Sequence, residues 1–178
     1  VPVDANSKGR AYGVELLVQQ KLYKNFYALL AYTYGKSEFT NGDDKYVASG
    51  YDFRHTLSLT AGKIFKKNWE AGVKFRMSSG APYTPNNYAA SALISNWSVA
   101  GQAIRDYSLL NTGRTNTFTQ LDIRVDKKYF FKKSALNFYL DIQNFLNQKT
   151  YFNPYLTVVR DSNGSTEIDP DKPDSYKL

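Results

Sequence analysis

Six stretches of the chain alternate apolar and polar residues with a period of two. The clearest is 69–78, where Trp69, Ala71, Val73, Phe75 and Met77 alternate with Glu70, Gly72, Lys74, Arg76 and Ser78. This pattern predicts a strand with one apolar and one polar face. It recurs over 9–22, 26–39, 55–65, 118–131 and 135–147. Apolar rows there include Tyr12, Val14, Leu16 and Val18; Leu57, Leu59 and Ala61; Leu121, Ile123 and Val125; and Leu136, Phe138, Leu140 and Ile142. No segment carries a convincing 3.6-residue period, so no helix is predicted. The segments are about as long as the roughly 9–11 residues that a tilted strand needs to cross a bilayer.

The connections alternate as well. Residues 23–26, 66–68 and 132–134 are tight turns, whereas 40–54, 81–117 and the tail from Gln148 are long. The hairpins therefore have short turns at one end and long loops at the other. The tail is expected to turn at Asn163-Gly164, and its acidic second arm meets Pro170 and Pro173, poor material for a lipid-facing strand.

Two fold readings compete. In a soluble sandwich the apolar row faces a core and the polar row faces water, but strands there average about five or six residues. In a transmembrane barrel the apolar row faces lipid and the polar row a wet lumen, with aromatic girdles at both interfaces. Tyr23, Phe26, Tyr27, Phe65, Trp69, Tyr129, Phe130 and Phe131 gather at the short turns, and Tyr32, Tyr34, Phe53 and Tyr83 lie towards the long loops. Lysines beside the turns can extend into headgroups or water. The expected fold is all-β. It is an antiparallel transmembrane β-barrel segment of long strands with short periplasmic turns and long extracellular loops. Six strands cannot close a normal barrel, and open edges in lipid are not viable, so the segment is expected to be part of a larger barrel.

Composition refines this. The 15 Tyr and 11 Phe fit aromatic girdles, and cysteine is absent, which removes disulfides, thiolate metal sites and Cys nucleophiles. The net charge of +7 raises nucleic acid as a partner. The basic residues, however, are divided between turns and polar strand faces rather than gathered on one surface, so no nucleic-acid partner is expected.

The ordered set GRAYGVEL, AYTYGKSE, YDFRHTLSL, SGAPYTP, LDIRVDKKYFF and LDIQNFLN, from Gly9 to Asn147, resembles the C-terminal barrel region of TonB-dependent outer-membrane receptors, especially the Bacteroidota type. The resemblance implies that 1–178 is the C-terminal portion of a barrel of about 22 strands, with the plug domain and TonB box outside it. It implies the bacterial outer membrane as location and import of an iron chelate, cobalamin, glycan or peptide as function. The implied partners are outer-membrane lipid, the plug and remaining strands of the same protein, the TonB complex through the absent regions, and a surface lipoprotein. The competing function is a small self-contained barrel with a structural or adhesive role.

Individual motifs add little chemistry. His55, in the Asp52-Phe53-Arg54-His55 run, is the single histidine. It lacks a second ligand or a nucleophile nearby, so no catalytic residue, metal site or cofactor is expected and the chain is not read as an enzyme. Asp52 and Arg54 are read as a pair fixing the entry to a strand. Asp161, Asn163, Glu167, Asp169 and Asp171 do not match the spacing of a calcium loop and are read as a solvated loop. Glu15, Lys74, Arg76, Asp122, Arg124 and Asp126 form the expected lumen-facing polar row, pairing across strands by default. The candidate ligand surface is the 81–117 loop, with Tyr83, Tyr88, Trp97, Arg105 and Tyr107, because aromatic and Arg side chains are favoured anchors and loops vary without disturbing a scaffold.

Overall fold

The computed structural model describes residues 7–150 and 152–178. The first six residues of the expected barrel portion, and Tyr151 in its tail, lie outside the described residues. In chain order the strands are β1 (Gly9–Tyr23), β2 (Phe26–Thr40), β3 (Tyr46–Ala48), β4 (His55–Phe65), β5 (Trp69–Ser78), β6 (Pro82–Tyr83), β7 (Gly113–Arg114), β8 (Phe118–Phe130), β9 (Ala135–Ile142), β10 (Ile168–Asp169) and β11 (Lys172–Tyr176). All six predicted long strands form, and they make one antiparallel sheet in the order β1-β2-β4-β5-β8-β9, with β3 paired to the outer end of β2. The protein is mostly antiparallel β. The sheet is not closed, and β1 and β9 are its edges. β9 stops at Ile142 rather than running to 147, because Asn144 and Asn147 turn with positive φ.

Turn chemistry sets the hairpins. Lys24 and Asn25 both have positive φ (48° and 66°), the signature of a two-residue turn whose twist matches paired strands. Tyr23 and Phe26 then face each other. Lys67 and Asn68 do the same in the 66–68 turn, and Phe65 pairs with Trp69.

Register places the alternation in continuous rows. Val18, Leu30, Leu59, Phe75 and Leu121 lie side by side across five strands. Ala28, Ala61, Val73, Ile123 and Ile142 form the next row. The opposite face carries Thr60, Lys74 and Asp122, then Tyr27, Gly62, Gly72, Arg124 and Asp141. Among the described residues nothing covers the apolar rows of the edge strands. Val18 is 51% and Leu140 63% exposed, and Val158 and Pro82 are the buried apolar side chains among the described residues.

The short-turn aromatics follow the expected band with two corrections. Tyr23, Phe26, Phe65, Trp69 and Tyr129 fall on the apolar side by register. Tyr27 does not: it lies on the polar face and donates its hydroxyl to Glu70 at 3.0 Å. Phe130, one step from Tyr129, falls on the polar side at the turn. The lysine beside Trp69 is not one of the turn lysines but Lys127 on the neighbouring strand. Its Nζ lies 5.2 Å from the Trp69 ring centre and 5.1 Å from that of Tyr129.

The 81–117 loop is structured, and the expectation of no helix fails there. It leaves the sheet as the short ladder β6–β7 and carries two helices, α1 (Tyr88–Ala92) and α2 (Ile94–Ala100). The Asn87 side chain caps α1 by accepting from the Ala90 N–H at 3.0 Å, and Gly101 ends α2 at φ 63°. Helices of five and seven residues are too short to display a period. In the tail, Asn163-Gly164 does turn, with Arg160 bridged to Thr166 and Gly164 at φ 83°. β10 and β11 form a second hairpin that joins the loop through Leu93 and Ser175 rather than extending the long sheet.

Candidate functional site

The polar face and the loop end are the two places where chemistry-bearing side chains gather. All six residues of the predicted lumen row share the polar face by register, but they do not form one cluster. Glu15 sits in the outer row opposite Thr33, and neither it nor Lys74 makes an ion pair among the described residues. Arg124 chelates Asp126 along its own strand, with Nε and Nη2 each 2.8 Å from a carboxylate oxygen. Arg76 reaches Asp122 on the next strand at 3.5 Å. Asp122 also accepts from the Asn144 N–H at 2.9 Å, which ties the turn after β9 to β8. Asn137 donates to Asp126 at 2.8 Å.

Sequence reasoning missed the hub of this network. Glu70 accepts from Lys128 Nζ at 2.8 Å and from Tyr27, so three strands meet at one carboxylate. Tyr27 can lie across the sheet because Gly62 leaves room: a Cβ there would stand 2.3 Å from the Tyr27 hydroxyl oxygen. The signal was present in the polar parity of Glu70 and in the two glycines that pair as Gly62 and Gly72. An aromatic residue beside a turn, as Tyr27 is, suits a membrane interface, which hides this role.

At the loop end, Asp52 is the organising residue. It is 1% exposed. Its Oδ1 accepts from the Ser37 N–H at 2.9 Å, and its Oδ2 takes the Arg114 guanidinium and, at 3.4 Å, Arg54 Nε. Arg114 also donates to the Asp52 and Gly80 carbonyls. One carboxylate thus joins β2, the 40–54 loop and the Arg114 stem of the 81–117 loop, and Arg114 carries the link on to Gly80 at the other stem. The predicted Asp52–Arg54 pair exists, but Arg114, unseen in the sequence, is the closer partner. Burial pushes the Asp52 carboxyl up, and the Ser37 N–H together with the Arg114 charge outweighs it, leaving the group below the ordinary carboxylate value. His55 Nδ1 lies 2.8 Å from the Tyr32 hydroxyl, and its ring sits beside Tyr34.

Of the five candidate loop residues, Tyr83, Trp97 and Arg105 line one cavity of about 460 Å³ at this end. Tyr88 and Tyr107 do not line it and are exposed. Asn86, Gln102, Asn111 and Tyr155 complete much of the wall. Trp97 is fixed by its indole N–H, which donates to the Ser91 carbonyl, and fully buried Ser91 is itself bonded to Ile104. Asn111 ties this loop to β3 by donating to the Ala48 carbonyl at 2.7 Å, and it spans the stems by accepting from the Thr84 hydroxyl at 3.3 Å. The Tyr83 ring packs on Gly113, where a Cβ would stand 2.6 Å from it. The tail's contribution through Tyr155 carried no signal in the sequence, because it depends on the tail folding back.

The acidic run is occupied with its own turns. Asp161 accepts from the Asn163 and Ser165 N–H groups, and Glu167 pairs with Lys177 at 3.2 Å. Among the described residues no group of three or more His, Asp or Glu is placed to hold a metal ion. No helix among the described residues is long and apolar enough to cross a membrane, which says nothing of crossing by strands. Comparison with family models, with curated proteins and with solved structures gives no match.

Proposed function

We propose that the chain is part of the barrel wall of a TonB-dependent outer-membrane receptor, which imports a nutrient with energy from the inner membrane. The observation that carries this reading is the apolar face of the sheet: rows of apolar side chains run unbroken across the strands, and no second layer lies over them among the described residues. A soluble domain of this length would bury such rows in a core. Lipid is the solvent that suits them, and the polar face opposite suits a wet lumen.

Dimensions support the same reading. From Trp69 to Ser78, β5 makes nine steps. At about 3.4 Å per residue and a tilt near 40° this spans roughly 23 Å, close to the ~25 Å apolar band of outer-membrane barrels. The aromatic side chains with Lys127 sit at one limit and Tyr32, Tyr34 and His55 at the other. The edges β1 and β9 favour a larger barrel over a self-contained one, since unpaired backbone groups in hydrocarbon cost several kcal/mol each. On this reading the loop end is the capture surface, and the plug, the remaining strands, TonB and a surface lipoprotein are the partners. The protein acts by binding and passage, not by bond chemistry.

Deletion of the gene tests it. Uptake of one nutrient class should be lost, and dissipating the proton-motive force in the parent strain should abolish the same uptake. Recovery of the protein in the soluble fraction, or uptake indifferent to both treatments, contradicts the proposal.

A further inference from the structure

The loop-end cavity is large enough to hold a small ligand: about 460 Å³ against the roughly 300–1,000 Å³ of such sites. Its lining has a definite chemistry. Tyr83, Trp97 and Tyr155 supply aromatic surface, Asn86 and Gln102 supply amides, and Arg105 supplies the single charge; among the described residues no Asp, Glu or Lys lines it. The Trp97 N–H is already used by Ser91, so its ring offers carbon surface. Asn86, Gln102 and Arg105 make no side-chain hydrogen bond or ion pair among the described residues. The neighbouring carboxylate of Asp106 is turned to Ser108 rather than to Arg105.

These groups discriminate between ligands. A free amide donates and accepts together, which is the pattern that adjacent sugar hydroxyls present. Aromatic rings cover the C–H face of a pyranose. One guanidinium matches one carboxylate. A purely apolar ligand would strand the amides, and a multiply charged chelate would bring more charge than one Arg offsets. We propose that the cavity binds a short saccharide carrying a single uronic acid, with the carboxylate on Arg105, sugar hydroxyls on Asn86 and Gln102, and rings against Tyr83 and Trp97. This deepens the proposed import function by naming the substrate class of the same loop end.

Full-length protein in detergent tests it by calorimetric titration with two probes: xylotriose carrying one glucuronic acid, and xylotriose alone. The acidic probe should bind at least tenfold more tightly. Arg105→Gln should remove that preference while leaving the neutral probe unchanged, and Asn86→Ala with Gln102→Ala should weaken both. Absence of binding by either probe up to millimolar concentration, equal affinity for the two, or a preference that survives Arg105→Gln overturns the proposal. Binding is measured without transport, so a receptor that binds the acidic probe but imports nothing fails the import reading alone.

Discussion

Replacing Asp52 should loosen the loop end more than any other single polar change there. Asp52→Ala removes the acceptor of the Ser37 N–H at 2.9 Å and the carboxylate between Arg114 and Arg54. An unsatisfied buried N–H costs about 1–3 kcal/mol. Breaking a buried ion pair costs about 3–5 kcal/mol. Arg114 is 29% exposed and keeps its bonds to the Asp52 and Gly80 carbonyls, so the upper figure does not apply in full. Arg54 is half exposed and contributes little. The expected loss is about 2–4 kcal/mol for Asp52→Ala and under about 1 kcal/mol for Arg54→Ala. Because the Asp52 carboxyl titrates below its ordinary value, its contribution is complete above the unfolded carboxylate pKa of about 3.9. It is lost as pH falls from there through the folded pKa. Urea titration and protease cutting of the 40–54 and 81–117 loops in detergent-solubilised full-length protein report both effects. Acid loosening should be weaker in Asp52→Asn than in the parent; the part that stays belongs to Glu38, which is paired with Arg10 and Lys36 beside β3. Equal losses for Asp52→Ala and Arg54→Ala, or acid loosening undiminished in Asp52→Asn, would show that Asp52 does not organise the loop end.

Three further predictions concern the wall and its ends. Gly62→Val should displace Tyr27 from Glu70, since even a Cβ meets the hydroxyl at 2.3 Å, and lower stability by about 1–3 kcal/mol in urea unfolding. Val73→Arg, midway between the Trp69 and His55 limits of the apolar face, should cost about 2–4 kcal/mol on folding into bilayers; a cost near zero would place that row in water. Deleting part of 86–110, which spares Asn111 and Arg114, should leave surface display intact and weaken uptake. Shortening the 66–68 turn, whose Lys67 and Asn68 need positive φ, should instead reduce display.

The strands were legible because alternation is a local signal. Val73 and Lys74 point to opposite faces whatever pairs with them, and the turn residues Lys24 and Asn25 announce the hairpin. Register rows such as Val18 to Leu121 follow once neighbouring strands pair. The loop end was legible only as a region. Arg114 reaches Asp52 across 62 positions and Asn111 reaches Ala48 across 63, separations at which no local pattern operates. Helices α1 and α2 are too short for periodicity, although Asn87 and Gly101 are readable caps. Tyr27 misled because an aromatic residue near a turn suits an interface as well as a polar network; only the pairing of Gly62 with Gly72 separates the two.

Cysteine labelling asks most directly whether the apolar rows face lipid. Single cysteines at 71, 73 and 75 and at 70, 74 and 76, placed in the otherwise cysteine-free segment, allow a direct comparison in native outer membranes. A lipid-soluble maleimide should label the Ala71, Val73 and Phe75 positions, and a membrane-impermeant, water-soluble one should reach the Glu70, Lys74 and Arg76 positions once the membrane is opened. Water-soluble labelling of the Val73 row, or lipid-phase labelling of the Lys74 row, would contradict the account.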